Sequence, residues 1–222
     1  MLISSGKEHR RGAWRSSLFV GLCLSLWVLT CWGGVNITIE DLNKWSRRDA
    51  LKYSRITGQQ PISVRGKQEF ILVTAAIIDA RKIESCCVAV VASPAEKKAK
   101  RIDGYAYDVH VMDLDGDGVS EIERNDVSVG QGYTIEKREI FQIVGVGIVK
   151  LLHSAKAEGN DGLYDSTDDK FKVEKVLFEY RDLDGDGVRD LIERWKVEDK
   201  RGSRSYERRF LFKKGAFKEM SR

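Results

Sequence analysis

Two stretches of the chain are nearly the same text: DLDGDGVSEIER from Asp113 and DLDGDGVRDLIER from Asp182. Each sets three aspartates at alternate positions around two glycines and adds a fourth acid eight residues after the first. Carboxylates crowded this closely repel one another unless positive charge sits among them. The arrangement suits a hard cation such as Ca²⁺, which takes about six to eight oxygen ligands at roughly 2.3–2.6 Å. The expected ligands of the first loop are Asp113, Asp115, Asp117, the carbonyl of Val119 and Glu121. Those of the second are Asp182, Asp184, Asp186, the carbonyl of Val188 and Asp190. Gly116, Gly118, Gly185 and Gly187 let the backbone take turns that a side chain would block.

The repeat is longer than its acidic core. An offset of 69 residues (113 to 182) holds on both sides of the loop. Tyr107, Val109 and Val111 align with Val176, Phe178 and Tyr180; Ile122 aligns with Leu191, Phe141 with Phe210 and Ile143 with Phe212. A constant offset means one structural unit used twice. YAYDVHVMD and KVLFEYRD alternate apolar and polar residues with period two, the mark of half-buried strands. EIERNDVSV and LIERWKVED follow the loops, then YTIEKREIFQIV and SYERRFLFKK, then GIVKLLHS and GAFKEM, with Gly147 and Gly215 placed to turn the chain. The expected class is all-β: two four-stranded antiparallel meanders, shaped like propeller blades but not a closed propeller, with an N-terminal hairpin and a short helix.

The pattern D-x-D-G-D-G-x-x-D/E, entered from a strand and left by a strand, resembles the calcium loops of FG-GAP-type β-propeller repeats, found in integrin α-subunits and many secreted bacterial proteins. The likeness covers 105–152 and 174–220. It implies two Ca²⁺ ions held in turns between blade strands. The Phe-Gly and Gly-Ala-Pro landmarks of that family do not occur, and a closed propeller needs at least about four blades. An EF-hand is the competing reading. Gly118 and Gly187 fill its position 6, but position 12, a bidentate Glu in an EF-hand, is Arg124 in the first loop and Glu193 in the second. The period-two segments entering both loops favour the β reading over the helices an EF-hand requires.

The first 33 residues read as a signal peptide: Lys7, Arg10, Arg11 and Arg15, an apolar run from Leu18 to Thr30, then Gly33 and Gly34. The run is short for a membrane span of roughly 20 residues. An uncleaved anchor and a lipid anchor at Cys31 are the other readings of the same segment. Export to the periplasm or the extracellular space is expected, with no membrane span in the mature form. The leader carries four basic residues and one acid, so its removal takes the formal charge from +4 to +1. Nucleic-acid binding is not expected. KKAKR (97–101) and RGSRSYERR (201–209) read as solvated loops and strand faces, the second interrupted by Glu207.

The remaining divisions are an N-terminal β segment (34–104), the first unit (105–152), an acidic linker (153–173) and the second unit (174–222). Within 34–104 a helix is expected between Asn36 and Tyr53, strands over Gln68–Asp79 and Ser85–Ser93, and a linker over Ser93–Arg101. The two strands could form a degenerate third unit with the Asp79–Ser85 turn in place of the acidic loop. In GNDGLYDSTDD (159–169), Asp161, Asp165, Asp168 and Asp169 are irregularly spaced, which favours a solvated loop over a third cation site. The adjacent Cys86 and Cys87 fit either a vicinal disulfide or two buried thiols. His110 and His153 are the histidines outside the leader, and His110 reads as a rim residue. No G-x-S-x-G, P-loop or H-E-x-x-H pattern occurs. These features point to an exported, bacterial-type Ca²⁺-binding β-repeat protein, a non-catalytic binding or structural module of the cell envelope or extracellular space with a protein or glycan partner. The alternative is a metal-dependent hydrolase or enzyme accessory subunit that uses the acidic loops.

Overall fold

Period-two alternation resolves into long antiparallel strands. A computed structural model describes residues 36–46, 52–64, 69–78, 84–130, 132–160, 165 and 167–221. One helix, α1 (Ile39–Trp45), precedes twelve strands among these residues. The first four are β1 (Lys52–Ser63), β2 (Glu69–Ile78), β3 (Glu84–Ser93) and β4 (Lys98–Arg101), paired in chain order as one sheet. A second sheet pairs β5 (Asp108–Met112), β6 (Glu121–Gly130), β7 (Tyr133–Gly145) and β8 (Ile148–Gly159) with β9 (Lys172–Arg181), β10 (Asp190–Asp199), β11 (Gly202–Phe212) and β12 (Phe217–Glu219), again in chain order. Neither sheet closes into a barrel.

The repeat read from sequence is a repeat of register. Ile122 pairs with Val111 on one side and Phe141 on the other; Leu191, at the same place in the second unit, pairs with Tyr180 and Phe210. The two units, β5–β8 and β9–β12, touch along the sheet at the single pair Gly159↔Val173. Strands flank both loops, so the EF-hand reading does not hold.

Packing turns the sheets into stacked layers. Ile62, Phe70, Leu72 and Val91 of the first sheet pack against Ile122, Phe141 and Ile143 of the first unit. On the opposite face of that unit, Leu114 and Ile140 meet Leu191, Phe210 and Phe212 of the second. Alternation along β6 and β7 makes this possible, since neighbouring residues point to opposite faces. The two ends of the stack are finished differently. Helix α1 lays Leu42, Ile39 and Trp45 over Tyr53, Val73, Val88 and Val90 of the first sheet. A helix this short is not stable alone; it is fixed by that packing and by a capping box between Thr38 and Asp41, with bonds of 3.1 and 3.2 Å. The far face of the second unit carries a ladder of charges. Glu179 pairs with Arg181 and Arg194, and Arg194 in turn with Glu207 at 2.7 Å, which pairs with Arg209 at 2.9 Å.

The first sheet is a four-stranded antiparallel meander like each of the two units. The Ser120 N–H donates to the Ser63 carbonyl at 2.9 Å, and the Arg189 N–H donates to the Leu114 carbonyl at 2.8 Å. Ser120 and Arg189 hold the same position in the two loops, so each loop leans on a backbone carbonyl of the layer before it, Ser63 at the end of β1 and Leu114 within the first loop. The partner of the first loop is therefore the β1–β2 connection, not the Asp79–Ser85 turn suggested by the sequence. Residues 65–68 and 79–83 of those connections lie outside the described residues. Phe70 pairs with Ile62 where Glu121 pairs with Met112 and Asp190 with Arg181.

The expected helix is limited to Ile39–Trp45, and Tyr53 already belongs to β1. The expected linker after Ser93 forms a turn and then β4, where Ala99 is buried. The leader, including Cys31, lies outside the described residues, as does the side chain of Cys86. Cys87 is a free thiol with its sulfur 3.7 Å from the Thr57 hydroxyl. Among the described residues, no helix is long and apolar enough to cross a membrane.

The stacking makes a quantitative expectation. Leu191 is fully buried between the two units, whereas Leu177 is 58% exposed on the far face. Leu191→Ala is expected to cost about 2–5 kcal/mol of unfolding free energy. Leu177→Ala should stay within about 0.5 kcal/mol of the parent. Urea unfolding of the two variants measures the difference.

Candidate metal-binding loops

Each loop is folded by its own aspartates. Asp113 accepts the N–H groups of Gly116 and Gly118 at 2.8 and 3.1 Å, and Asp182 accepts those of Gly185 and Gly187 at 2.7 and 2.9 Å. Asp117 accepts the Val119 N–H at 2.7 Å, and Asp186 accepts that of Val188 at 2.9 Å. Such side-chain-to-backbone bonds are what make aspartate a turn residue. The bonds require the chain to pass through the left-handed region at Gly116 (φ +73°) and Gly118 (φ +79°), and again at Gly185 (φ +79°) and Gly187 (φ +86°). A Cβ at any of the four would meet no neighbour within 4 Å, so backbone conformation rather than space demands glycine there.

The folding brings carboxylates together. One oxygen each of Asp113, Asp115 and Asp117 lies within 4.8 Å of the others; in the second loop the group is Asp182, Asp184 and Asp190. Either group could hold a metal ion. The fourth acids have a second task. Glu121 is fully buried beneath its loop, where it accepts the Leu114 N–H at 2.8 Å and the Gln142 amide at 2.5 Å. Asp190, equally buried, accepts the Leu183 N–H at 2.9 Å and the Phe212 N–H at 2.8 Å. The shorter aspartate reaches the backbone of β11, while the longer glutamate takes a side-chain amide on β7. Glu121 stands outside the three-aspartate group of the first loop, and Asp186 stands outside that of the second.

Electrostatically the two loops differ. Burial pushes the Asp115 carboxyl above its ordinary value, and the charges of Asp117 and Asp113 add to the push. Burial likewise raises Glu121, with Asp115 and Asp113 contributing. In the second loop the ammonium of Lys213 sits 2.7 Å from Asp184 and also bonds Asp186. Its hydrogen bond is the leading cause that holds Asp186 below the usual carboxylate range. The position of Lys213 in the first unit is taken by Val144. The lysine was not singled out from the sequence. Aligning the copies shows the difference between Val144 and Lys213 but not that the amine reaches the loop.

The other acidic loop is differently built. Asp165 accepts the Thr167 N–H at 2.8 Å, Asp168 accepts the Lys170 N–H at 2.8 Å, and Asp169 pairs with Lys200. Asp161 lies outside the described residues. His110 is exposed beside Asp108, whereas His153 is nearly buried. Two surface clefts, one at Tyr133, Thr134 and Asn160 and the other at Tyr206, Arg208 and Glu219, contain no loop carboxylate in their lining. No family model matches the chain, and neither curated proteins nor solved structures give a match. Fold and loops together define a β-repeat protein of three stacked four-stranded layers, two of which carry an acidic turn able to hold a cation.

The two buried acids are expected to respond differently to amide replacement. In Glu121→Gln the Gln142 amide can turn to accept the new N–H, so stability in metal-free buffer near pH 7 should change by less than about 1 kcal/mol. In Asp190→Asn an amide nitrogen must face one of two backbone N–H donors, at a cost of about 1–3 kcal/mol. The raised value of Glu121 also fixes a sign. Its contribution is fully present below the ordinary glutamate value of 4.5 and is lost as pH rises through the higher folded-state value. Glu121→Gln should therefore flatten the fall in stability that sets in above pH 4.5 and ends at the folded-state value. Urea unfolding between pH 4 and 7 tests both statements.

Proposed function

We propose that the two acidic turns are Ca²⁺ sites and that the protein is an exported, non-catalytic β-repeat module that binds a protein or glycan partner. Repetition carries the reading. Three aspartates and two left-handed glycines recur on one strand–turn–strand frame, and both loops gather carboxylate oxygens. The matching connection of the first layer, VRGKQE from Val64, holds a single acid. An all-oxygen donor set without histidine or cysteine favours a hard cation over zinc or copper. An irregular loop accommodates Ca²⁺ more readily than Mg²⁺, which demands a tight octahedron. The likeness of the loops to FG-GAP-type calcium turns supports the same choice. Export rests on the basic and then apolar leader. Outside the cell, Ca²⁺ modules commonly work at dissociation constants of about 10⁻⁴–10⁻³ M. A non-catalytic role is supported by carboxylates already committed to folding their own turns.

Thermal unfolding with Ca²⁺ and with chelator tests the proposal. An ion that binds only the folded state stabilises it by RT ln(1 + [L]/Kd). At about 1 mM Ca²⁺ and a Kd of roughly 10⁻⁴ M, each site contributes about 1.4 kcal/mol. The melting temperature should rise by several degrees, with Mg²⁺ doing less. Asp115→Ala should remove the larger share of the rise and Asp184→Ala the smaller, because Lys213 competes with the ion in the second loop. Equal melting in both buffers, together with no calorimetric binding at millimolar Ca²⁺, would overturn it.

Lys213 makes the two sites unequal, because an ion entering the second loop must displace an ammonium already seated there. In an Asp115→Ala background, which isolates the second loop, Lys213→Ala should tighten Ca²⁺ binding about two- to fivefold by calorimetry, the scale of an exposed ion pair.

A further inference from the structure

The two units share a cross-strand ion pair with its polarity reversed, buried in the first unit and buried at its glutamate in the second, where the Arg208 side chain is 39% exposed. Arg124 and Glu193 hold one position, 69 residues apart (124 to 193); Glu139 and Arg208 hold the other (139 to 208). In the first unit Arg124 on β6 faces Glu139 on β7; in the second Glu193 on β10 faces Arg208 on β11. Arg124 and Glu139 are each 5% exposed and Glu193 is fully buried. Burial pushes both carboxyls up, but their donors outweigh it and hold both below the usual value. Lys137 and Arg124 do so for Glu139; His153, Trp195 and Arg208 do so for Glu193.

The preceding layer matches each polarity. Arg124 donates to the backbone carbonyl of Asp103, just after β4. Glu193 instead bonds the His153 ring of β8 at 2.6 Å and accepts the Trp195 indole N–H at 2.8 Å. Phe178, Phe210 and Phe217 enclose that imidazole, with ring centres 4.5–5.7 Å away.

We infer that the reversed pair is a pairing code that stops the two units from exchanging strands while they fold. Near the loops little else distinguishes them; farther along the hairpins Trp195 and Tyr206 stand where Asp126 and Lys137 do. The strands after the loops begin EIER and DLIER, the register is the same, and Ile122 and Phe141 correspond to Leu191 and Phe210. A hairpin of β10 with β7 would keep the apolar contact next to the loop, setting Leu191 against Phe141, while trading the Trp195–Tyr206 pair for Trp195 against Lys137. It would also bury Glu193 against Glu139, and the complementary error would set Arg124 against Arg208. Like charges directly opposite on adjacent strands are destabilising, and an unpaired buried charge is more so. Only the native pairings place opposite charges together in both units.

The test is refolding by dilution from denaturant, in chelator so that cations play no part, with native monomer measured by size-exclusion and tryptophan fluorescence. R124E/E139R and E193R/R208E each give both units one polarity and keep the Arg–Glu pair of each hairpin complementary; R208E also breaks the Arg208–Glu219 pair between β11 and β12, so R124E/E139R is the cleaner of the two. The fourfold variant reverses both units and so makes them opposite again. Native yield is expected to fall at least threefold in both two-site variants and to recover in the fourfold variant, although that variant lacks both interlayer matches. If one two-site variant does not fold, the other carries the comparison. The inference is overturned if the two-site variants refold like the parent, if yield falls furthest in the fourfold variant, or if none of the three folds. In the last two cases the pairs act through layer contacts alone.

Discussion

Burial between layers is what everything else in this protein rests on. A four-stranded meander with two apolar faces must bury both against other elements. The first unit is the extreme case, with Ile122 and Phe141 buried on one face and Ile140 on the other. It exists because a layer lies on each side. The acidic turns inherit their positions from this stack. Arg189 of the second loop hangs on the carbonyl of Leu114 in the first, and Leu114 is itself an apolar contact between units. One hydrogen bond and one core residue thus join the two loops directly.

The parts legible in the sequence are those written twice. Two copies at a fixed offset reveal strand register and turn position together, because a slip of one residue would put the whole apolar set on the wrong face. The first sheet lacks the acidic loop and with it the visible period. β1 was hidden because KYSRITGQQPIS buries little beyond Tyr53 and Ile62, carries two bulges and contains Pro61, as an edge strand can. β4 was hidden because KAKR, read alone, looks like a solvated charge run. The site was legible in its aspartates but not in its supports. An acid eight residues into the loop reads the same whether it faces an ion or, as with Glu121, is held beneath the turn by Leu114 and Gln142. Lys213 is distant in sequence from the carboxylates it meets, and only the return of β11 brings it there.

The identical letters of the loops therefore do not make identical sites. The first leaves its carboxylates to repel one another, and the second neutralises part of its charge with the chain's own amine. Divergence between repeats has altered the surroundings of a motif while leaving the motif alone, so electrostatics differ where sequence does not.

The charge ladder on the last layer has a consequence for assembly. Stacked layers are an open-ended arrangement: any apolar face left bare invites another, and molecules that add head to tail without closing grow into filaments. Arg181, Glu179, Arg194, Glu207 and Arg209 occupy the face on which such growth would proceed. Burying that ladder under a second molecule would strip water from five charged groups for attractions they already have. At the other end α1 occupies the corresponding surface of the first sheet. The charges at one end and the helix at the other thus cover the two outer faces of the stack.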